Sequence, residues 1–531
     1  MSDLLESEIS SSSPEHKYAL EQFIAKKNIL ISGYAGVGKS FLVRQLIQWC
    51  CDENKPVLVC GTTGQSALIN QGSTLHSTVG LKPDEQDVPT ILGKICNQLK
   101  AYESMDDSKT LEEKMLNSSW KRIHLLKNAD VIFIDECSML SAWFIELLDS
   151  IFRLVRNNAE ICFGGIQVVL ISDFRQLSPV PNKHLDGTTI SKTDRFCFLS
   201  PVWSLLDIRV CELKKAFRQT DTPFIQLLEK IAMNQILSTD DNHLLDERMQ
   251  SWTGEGNCVE IMIKNDAVRA VNARHYALVS KNSTERIFEF PSFESVLSEC
   301  DDVLLDLKNN VKDCLQIDKR DPHPIQKLCV GSRVLLRTNI KTLDLVNGHT
   351  GTVIAFHHIV TAEGIDDEFP EVCFDHGVTH IIEPFSFERY EYAYVNGIYR
   401  SRCLARVCAI PLVLAWAMTV HKVQGVTIQC PVQIDCNGMN YMPATFYVAL
   451  SRAKSLTQVY LTNYSKKFRA HDAAVRFYST PSQKQNNITT DVCMKYDIDV
   501  QEKLQRSLQT NVRKRNKDDS TQCKKKSKYM K

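Results

Sequence analysis

The 531-residue sequence has no net formal charge, 63 Lys and Arg facing 63 Asp and Glu, so its overall balance marks no polyanionic partner, although a neutral sum can hide a basic groove. The 19 Cys are scattered, without a CxxC pair or a Cys/His run at zinc spacing, and Cys60, Cys162 and Cys373 lie in apolar strand-like stretches where a thiol serves as a small hydrophobe. That usage points to a reducing compartment without disulfides or structural metal. Long apolar runs are missing too: Val407–Val420, the longest at 14 residues, contains Pro411, whereas spanning a bilayer takes about 20. The start, MSDLLESEISSSSPEHK, lacks the cationic and apolar regions of a secretory leader. Only 21 Gly and 17 Pro accompany 43% hydrophobic residues, which excludes a collagenous or wholly disordered chain. The expectation is a soluble intracellular protein, with no membrane partner, of two large domains or several smaller ones.

From about Asn28 to Val180, β-branched runs (NILIS, PVLVC, VIFID, QVVLIS) alternate with helical patterns (FLVRQLIQW, AWFIELLDSIFRLV), which predicts a parallel sheet covered by helices. The polar stretch at about 81–128 reads as an insertion. A second alternating region runs from about Arg209 to Ala273. From Leu328 to Arg406, short strands split by turn signals (LCVGSRVLLRTN, VNGHTGTVIAF, EVCFDHG) predict a small β-barrel. Apolar α/β texture resumes at Val407, and past about Pro481 the chain turns polar and basic, as a flexible tail would. The expected division is a disordered 1–13, a first α/β domain at 14–200, a second at 201–282 with 405–465, an inserted region at 283–404 ending in the barrel, and a C-terminal extension at 466–531.

The strongest local signal is GYAGVGKS, which follows an apolar strand and opens a helical pattern. In such a loop Gly33, Gly36 and Gly38 let backbone N–H groups, Val37 among them, wrap the phosphates of ATP; Lys39 reaches the β and γ oxygens, and Ser40 binds Mg²⁺. VIFIDECSML delivers Asp135 and Glu136 at the end of a buried strand, the first suited to the Mg²⁺ shell and the second to polarising an attacking water. ISDFRQLSPV offers Gln176 as an uncharged sensor of the γ-phosphate. KKAFRQ places Arg218 at the start of the expected second domain and FYVALSRA places Arg452 near its end, where an arginine presented from another domain neutralises charge on the transferring phosphoryl group.

In order, GYAGVGKS, CGTTGQSA, GSTLHS, IDECSML, SDFRQLSPV, FRQTD, LVNGHTG, LAWAMTVHKVQGVT and YVALSRA resemble the motifs of the Pif-type, RecD-related branch of superfamily-one DNA helicases, over roughly residues 14–465. The resemblance implies an α/β fold of two tandem RecA-like P-loop domains with ATP in the cleft between them, a small wedge inserted in the first and a small barrel in the second. It also implies 5′-to-3′ translocation on single-stranded DNA and unwinding of tailed duplex, in replication, repair or recombination and alongside proteins of those processes. Carried over by residue, Thr63 and Gly64 would lie near the DNA backbone, joined by Thr74, His76, Thr419 and His421, while Gln424 and Gly425 would couple nucleotide to DNA. Arg218 and Arg452 would be γ-phosphate contacts. Hydroxyl, imidazole and backbone N–H groups hold phosphate without reading sequence, as a sliding motor needs. His16 stands where the family's adenine-reading segment carries Gln. An imidazole can stack on a base but lacks the two-point amide contact, so weak nucleobase discrimination is expected.

Residues 511–531 hold nine Lys and Arg against two Asp, a net of +7, and read as a nuclear-import signal, a nucleic-acid tether or simply a solvated disordered end; of nucleus and cytoplasm they favour the nucleus. Two rival readings accompany the helicase: a DNA-stimulated translocase subunit that unwinds only within a larger complex, and a catalytically silent nucleic-acid-binding protein of the same fold. Intact Lys39, Glu136, Gln176, Arg218 and Arg452 argue against the second.

Overall fold

The computed structural model describes residues 13–63, 66, 73–81, 87–104, 118–181, 189, 191–253, 258–282, 288–290, 293–295, 326–338, 340–343, 345, 349–360, 366–375, 377–395, 398–425, 428, 430–480 and 489–506. The expected disordered N-terminus up to residue 12, Gly64 and the basic tail lie outside these residues. The chain divides into two compact units, the first drawn from segments 1–237, 442–447 and 468–531, the second from 238–441 and 448–467.

In the first unit, β1 (Ile29–Gly33), β2 (Val57–Gly61), β3 (Ser73–Thr74), β4 (Val131–Asp135), β5 (Gln167–Ser172) and β6 (Arg209–Leu213) form a parallel sheet in the order β3-β2-β4-β5-β1-β6. β1 and β4 are buried along their whole length, which is why both read as unbroken apolar runs. Their side chains alternate between two cores. Leu30, Ile132 and Leu170 pack with the helices Val88–Glu103, Ser118–Asn128 and Ala142–Val155. Ile29, Ile31, Phe133 and Val169 pack on the other face with the helices Pro14–Ile24 and Lys39–Asp52. Because β5 lies between β4 and β1, two inter-strand spacings, about 10 Å, separate the carboxylate-bearing strand end from the phosphate-loop strand.

Three expectations are corrected. β6 pairs with β1 from Ile29↔Arg209 to Gly33↔Leu213, so residues 201–237 belong to the first unit and do not open the second. The alternating pattern identified α/β texture there but not which of two parallel sheets it joins. The helices within 81–128 contribute Ile91, Ile95 and Ile123 to the first unit's own core. The chain past residue 481 is not simply a tail. After the second unit it returns to the first, where the helix Asp472–Ser479 buries Ala473, Ala474 and Phe477, and a helical stretch at 490–506 buries Cys493, Val500 and Leu504. Those last three positions form a narrow apolar stripe on an otherwise polar helix, which averaged composition conceals.

The second unit holds a parallel sheet in the order Ala417–Thr419, β7 (Val259–Met262), Val432–Asp435, Val459–Thr462. It also holds an antiparallel five-stranded sheet running Thr379–Ile381, Asp366–Phe374, Thr350–Val360, Arg333–Leu336, Leu412–Leu414, with a core that includes Val334, Val353, Phe369, Val372 and Leu412. Its last strand lies beyond the expected end of the inserted region at 404. Among the residues whose side chains are described every cysteine is free, and no described helix is long and apolar enough to cross a membrane.

Candidate nucleotide site

The phosphate loop leaves β1 at Gly33 and ends at Gly38, which adopts a left-handed conformation (φ 86°) and caps the helix Lys39–Asp52, so the helix N-terminus with its unpaired N–H groups opens directly onto the loop. Val37 is buried in the core and pins the loop from below. Gly36 (φ 84°) is packed so closely that a Cβ there would sit 2.4 Å from the Cβ of Arg218. Its carbonyl accepts from the backbone N–H of Phe217 (2.8 Å) and of Arg218 (3.3 Å). Arg218 is therefore delivered to the loop by the first unit's own sheet through β6, which corrects the expectation of an arginine presented from another domain. Lys39 Nζ donates to the carbonyls of Gly33 (2.7 Å) and Tyr34 (3.0 Å). Burial holds its ammonium below the ordinary lysine value, against the pull of Asp173 and Glu136. Ser40 follows in the first helical turn, half-buried.

Asp135 and Glu136 end β4. Asp135 Oδ1 accepts from the Glu136 N–H at 2.8 Å, and Glu136 takes a left-handed turn (φ 52°). A non-glycine residue in that region is uncommon and is held here from outside: Thr62 donates through N–H to the Asp135 carbonyl (3.1 Å) and through Oγ1 to the Glu136 carbonyl (2.8 Å). The acidic pair is thus tied to the segment that carries Thr63, whose Oγ1 accepts from Ser66 N at 3.1 Å. Ser40 and Asp135 supply hard oxygen donors fit for Mg²⁺, which keeps several waters and takes the rest of its shell from phosphate.

After β5, Asp173, Arg175 and Gln176 are all buried. Arg175 Nε donates to Asp173 Oδ1 (2.7 Å), and its guanidinium lies between two aromatic rings, 3.5 Å from the centroid of Tyr34 and 4.0 Å from that of Tyr478. Asp173 Oδ2 accepts from Tyr447 Oη (2.9 Å) and Gln176 Nε2 (3.4 Å), and Tyr447 Oη accepts from the phosphate-loop N–H of Ala35 (3.2 Å). Burial alone would raise the Asp173 carboxyl, but Arg175 and Lys39 outweigh it and hold the group below the usual carboxylate value. Gln176 Oε1 is buried and accepts no hydrogen bond from the protein.

On the opposite flank, His16 is buried with Nδ1 2.8 Å from Ser13 Oγ, and burial holds its imidazole below the usual value. A Cβ on Gly38 would lie 4.0 Å from His16 Nε2 and 3.5 Å from the ring of Phe217, which is 57% exposed. An imidazole and an open phenyl face therefore border the same end of the loop.

The remaining sequence-predicted residues are placed as follows. Thr74 Oγ1 caps the helix Leu75–Val79 by accepting from Ser77 N (3.3 Å), and the His76 ring stacks on Phe144 at 4.5 Å. In the second unit Thr419 is buried with Oγ1 accepting from Lys422 N (3.4 Å), His421 is exposed, Gln424 is buried and Gly425 takes φ 82°. Arg452 is buried; it donates to the carbonyls of Val448 (2.9 Å) and Val423 (3.3 Å) and to Ser451 Oγ (2.7 Å). Sequence reasoning passed over Tyr34, Asp173, Arg175, Phe217 and Tyr447, all inside recognised motifs, and Tyr478, which lies outside every motif.

Residues 17–240 match the family model described as PIF1-like helicase. The chain is 29% identical over 473 residues to the ATP-dependent DNA helicase PIF1 of Xenopus laevis, covering 88% of this chain and 64% of that protein. It is 28% identical over 471 residues to the human protein of the same name, covering 88% and 63%. The chain thus spans just under two thirds of the length of these curated relatives. Among solved structures it is similar to the Pif1 helicase from Candida albicans (TM-score 0.70, 24% identity, 88% of this chain and 99% of that one). It is also similar to the Pif1 helicase from Bacteroides in complex with ADP-AlF3 and ssDNA (TM-score 0.61, 23% identity, 88% and 96%). The shared fold is that of tandem RecA-like α/β domains. Residues 17–240 are thus similar to the PIF1-like helicase family, and over most of its length the chain shares the fold of solved Pif1 helicases.

Proposed function

We propose that this protein is an ATP- and Mg²⁺-dependent DNA helicase that moves 5′ to 3′ along single-stranded DNA and opens tailed duplexes in DNA replication, repair or recombination. The observation that carries the reading is the gathering, on one unit, of the Lys39 ammonium, the Asp135–Glu136 pair and the buried Gln176 around a glycine loop that opens onto a helix N-terminus. Such a set has little covalent chemistry to perform; it positions water and phosphate and meets developing charge. In this reading Lys39 and the backbone N–H groups from Gly33 to Ser40 hold the phosphates. Mg²⁺ would be held by Ser40 and Asp135 and would supply positive charge against the phosphates. Glu136 takes the proton of the attacking water, and Gln176 orients that water with the Oε1 that no protein group engages. Arg218 and Arg452 meet charge on the transferring phosphoryl group, with Gln424 and Gly425 next to the nucleotide. Phe217 and His16 flank the base.

For DNA, the exposed His421 is the best placed direct contact, with Thr63, Gly64 and His76. The hydroxyls of Thr74 and Thr419 are engaged in local caps, so we assign them to shaping the phosphate-binding turns. The two relatives named above carry DNA helicase in their names, and the Bacteroides structure holds single-stranded DNA, in line with the same partner here. The +7 tail is proposed to direct the protein to the nucleus or to tether nucleic acid.

The test is ATP hydrolysis with and without single-stranded DNA, followed by unwinding of 5′-tailed against 3′-tailed duplexes. DNA-stimulated turnover and opening of only the 5′-tailed substrate are expected. Turnover indifferent to DNA, or opening of the 3′-tailed duplex, overturns the reading.

A further inference from the structure

We infer that Tyr478, on the C-terminal arm that returns to the first unit, is a positioning residue for ATP hydrolysis, setting Gln176 and the phosphate loop in register by its hydroxyl, through Ser32 and Phe174, and by its ring, through Arg175 and Asp173. The inference rests on the nucleotide role proposed above and adds to it a residue from outside every motif.

The phenol of Tyr478 joins two catalytic segments at once. Its Oη lies 2.6 Å from Ser32 Oγ, one residue before the phosphate loop, and accepts from the N–H of Phe174 (3.1 Å), in the loop that carries Gln176. Burial pushes the phenol far above its ordinary value, so it stays a neutral hydroxyl with a proton to give while accepting from Phe174. The ring face does separate work. With Tyr34 it encloses the Arg175 guanidinium, whose Nε is thereby aimed at Asp173 Oδ1 at 2.7 Å. Asp173 Oδ2 in turn takes the hydrogen bond from Gln176 Nε2 at 3.4 Å, which leaves the buried Oε1 of Gln176 as that residue's remaining polar atom.

The path is therefore Tyr478 to Arg175 to Asp173 to Gln176, with a second anchor from Tyr478 to Ser32. The links lie in a buried setting, where a misaligned group has no water to substitute. The arm is itself anchored further along. Cys493, Val500 and Leu504 are buried in the first unit's core, Tyr496 Oη donates to Asp149 Oδ2 (2.9 Å), and Asp497 pairs with Arg153 (2.6 Å). Two anchors on one rigid core hold Tyr478 to a fixed position, as a positioning residue requires.

Tyr478→Phe deletes the hydroxyl and keeps the ring over Arg175; Tyr478→Leu deletes both. The expected result for Tyr478→Phe is a kcat lower by about three- to tenfold with KM for ATP within about twofold, the pattern of an interaction used in the transition state and not in ground-state binding. Tyr478→Leu should lose more. If Tyr478→Leu does not fold, Tyr478→Phe alone decides the matter. Rates are taken per site, counted with a tightly bound non-hydrolysable ATP analogue, so a merely structural role that lowers the folded fraction leaves kcat unmoved. Adding Tyr478→Phe to Gln176→Ala should cost less than the two single losses combined, because the hydroxyl acts in part through the segment that carries Gln176. Wild-type kcat for Tyr478→Phe, or full additivity with Gln176→Ala, overturns the inference. Basal hydrolysis without DNA reads the same comparison, so the two readings fail separately: absence of DNA stimulation in the wild type strikes the helicase reading, and equal basal kcat of wild type and Tyr478→Phe strikes the positioning role.

Discussion

Among the described residues the first unit buries two arginines, Arg175 and Arg153; each is paired with an aspartate of its own segment, and a tyrosine of the returning arm reaches the arginine in the first pair and the aspartate in the second. The chemistry differs in direction. Arg175 is covered on its faces by Tyr34 and Tyr478 and points its edge at Asp173, so the aromatic contacts aim the charge without neutralising it. Arg153 is bonded around its edge, by Nε to both oxygens of Asp149 (3.0 Å), by Nη1 to the Ala159 carbonyl (2.7 Å) and to Asp497 (2.6 Å). The Tyr496 hydroxyl goes to the aspartate and not to the arginine. The two sites teach that a buried guanidinium stacked by rings serves alignment, whereas one ringed by acceptors serves attachment.

The sharpest way to set the regions apart is to break the chemistry on the loop side alone. Lys39→Ala and Glu136→Gln should each reduce DNA-stimulated ATP hydrolysis by about a thousandfold or more while leaving the fold intact, since each removes a charge or base that acts on phosphoryl transfer. Glu136→Gln should still bind ATP, as equilibrium binding of a fluorescent analogue would show. Turnover near wild type in both would place the chemistry elsewhere.

The converse break is Arg153→Met. It leaves the Asp149 carboxylate buried without its cation and should lower unfolding free energy by about 3–5 kcal/mol in a denaturant titration, with per-site kcat changed far less than by Tyr478→Phe. A variant as stable as the wild type, or one whose kcat collapses without loss of stability, would erase the distinction between attachment and alignment.

Acid provides a milder probe. Burial holds the imidazoles of His16, His76 and His471 below the usual value, so the folded protein binds fewer protons than the unfolded chain through the imidazole range. Stability therefore rises with pH there and is lost as pH falls below about 6.5. His471 makes the reason concrete: its Nδ1 accepts from Ala473 N at 3.3 Å as a helix cap, and protonation removes the acceptor at the root of the arm. The unfolding midpoint should drop between pH 7 and pH 5.5, and His471→Asn, a cap that does not titrate, should flatten that drop. An unchanged pH profile would mean that the arm's root carries no such linkage.

Smaller effects concern the base and the tail. With His16 in place of an amide, GTP or CTP hydrolysis should fall within about tenfold of ATP, since a two-point base contact is worth roughly 1–3 kcal/mol. His16→Gln should sharpen the preference for ATP; a strong ATP preference in the wild type would move base reading to another residue. Deleting 511–531 should leave kcat at saturating DNA unchanged and flatten the salt dependence of DNA binding, by a slope of about 0.7 for each phosphate that the tail no longer neutralises. A fall in kcat would make that segment part of the motor.

The loop side of the comparison was legible because its chemistry is local. Gly33 to Ser40 and Asp135–Glu136 each carry their conformation in a few consecutive residues, and β1 and β4 announce themselves by being apolar on both faces. Arg218 was legible as a residue but not as a member of the first unit, because only the pairing of β6 with β1 assigns it there. The arm side was illegible for a different reason. Tyr478 and Ser32 are 446 positions apart, and nothing near Tyr478 in sequence marks it as anything but the apolar side of a short helix. The stripe of Cys493, Val500 and Leu504 carries a helical spacing, but too few apolar residues to stand out from a polar stretch. Asp173 and Arg175 fall between: both sit inside a recognised segment, yet their pairing with each other and with two distant tyrosines exists only in three dimensions.

The first unit is discontinuous in sequence, and this has a temporal side. A ribosome makes β1, the glycine loop and the segment around Phe174 early, then most of the second unit, then Tyr447, and only after the rest of the second unit Tyr478. At about 5–20 residues per second, the 304 residues separating Phe174 from Tyr478 take about 15–60 s to synthesise. Throughout that interval the nascent protein holds a nucleotide loop whose aligning partners have not yet been made. On the proposed function, ATP turnover would wait until these partners are made, and a stalled nascent chain ending before residue 478 should stay idle when nucleotide is supplied.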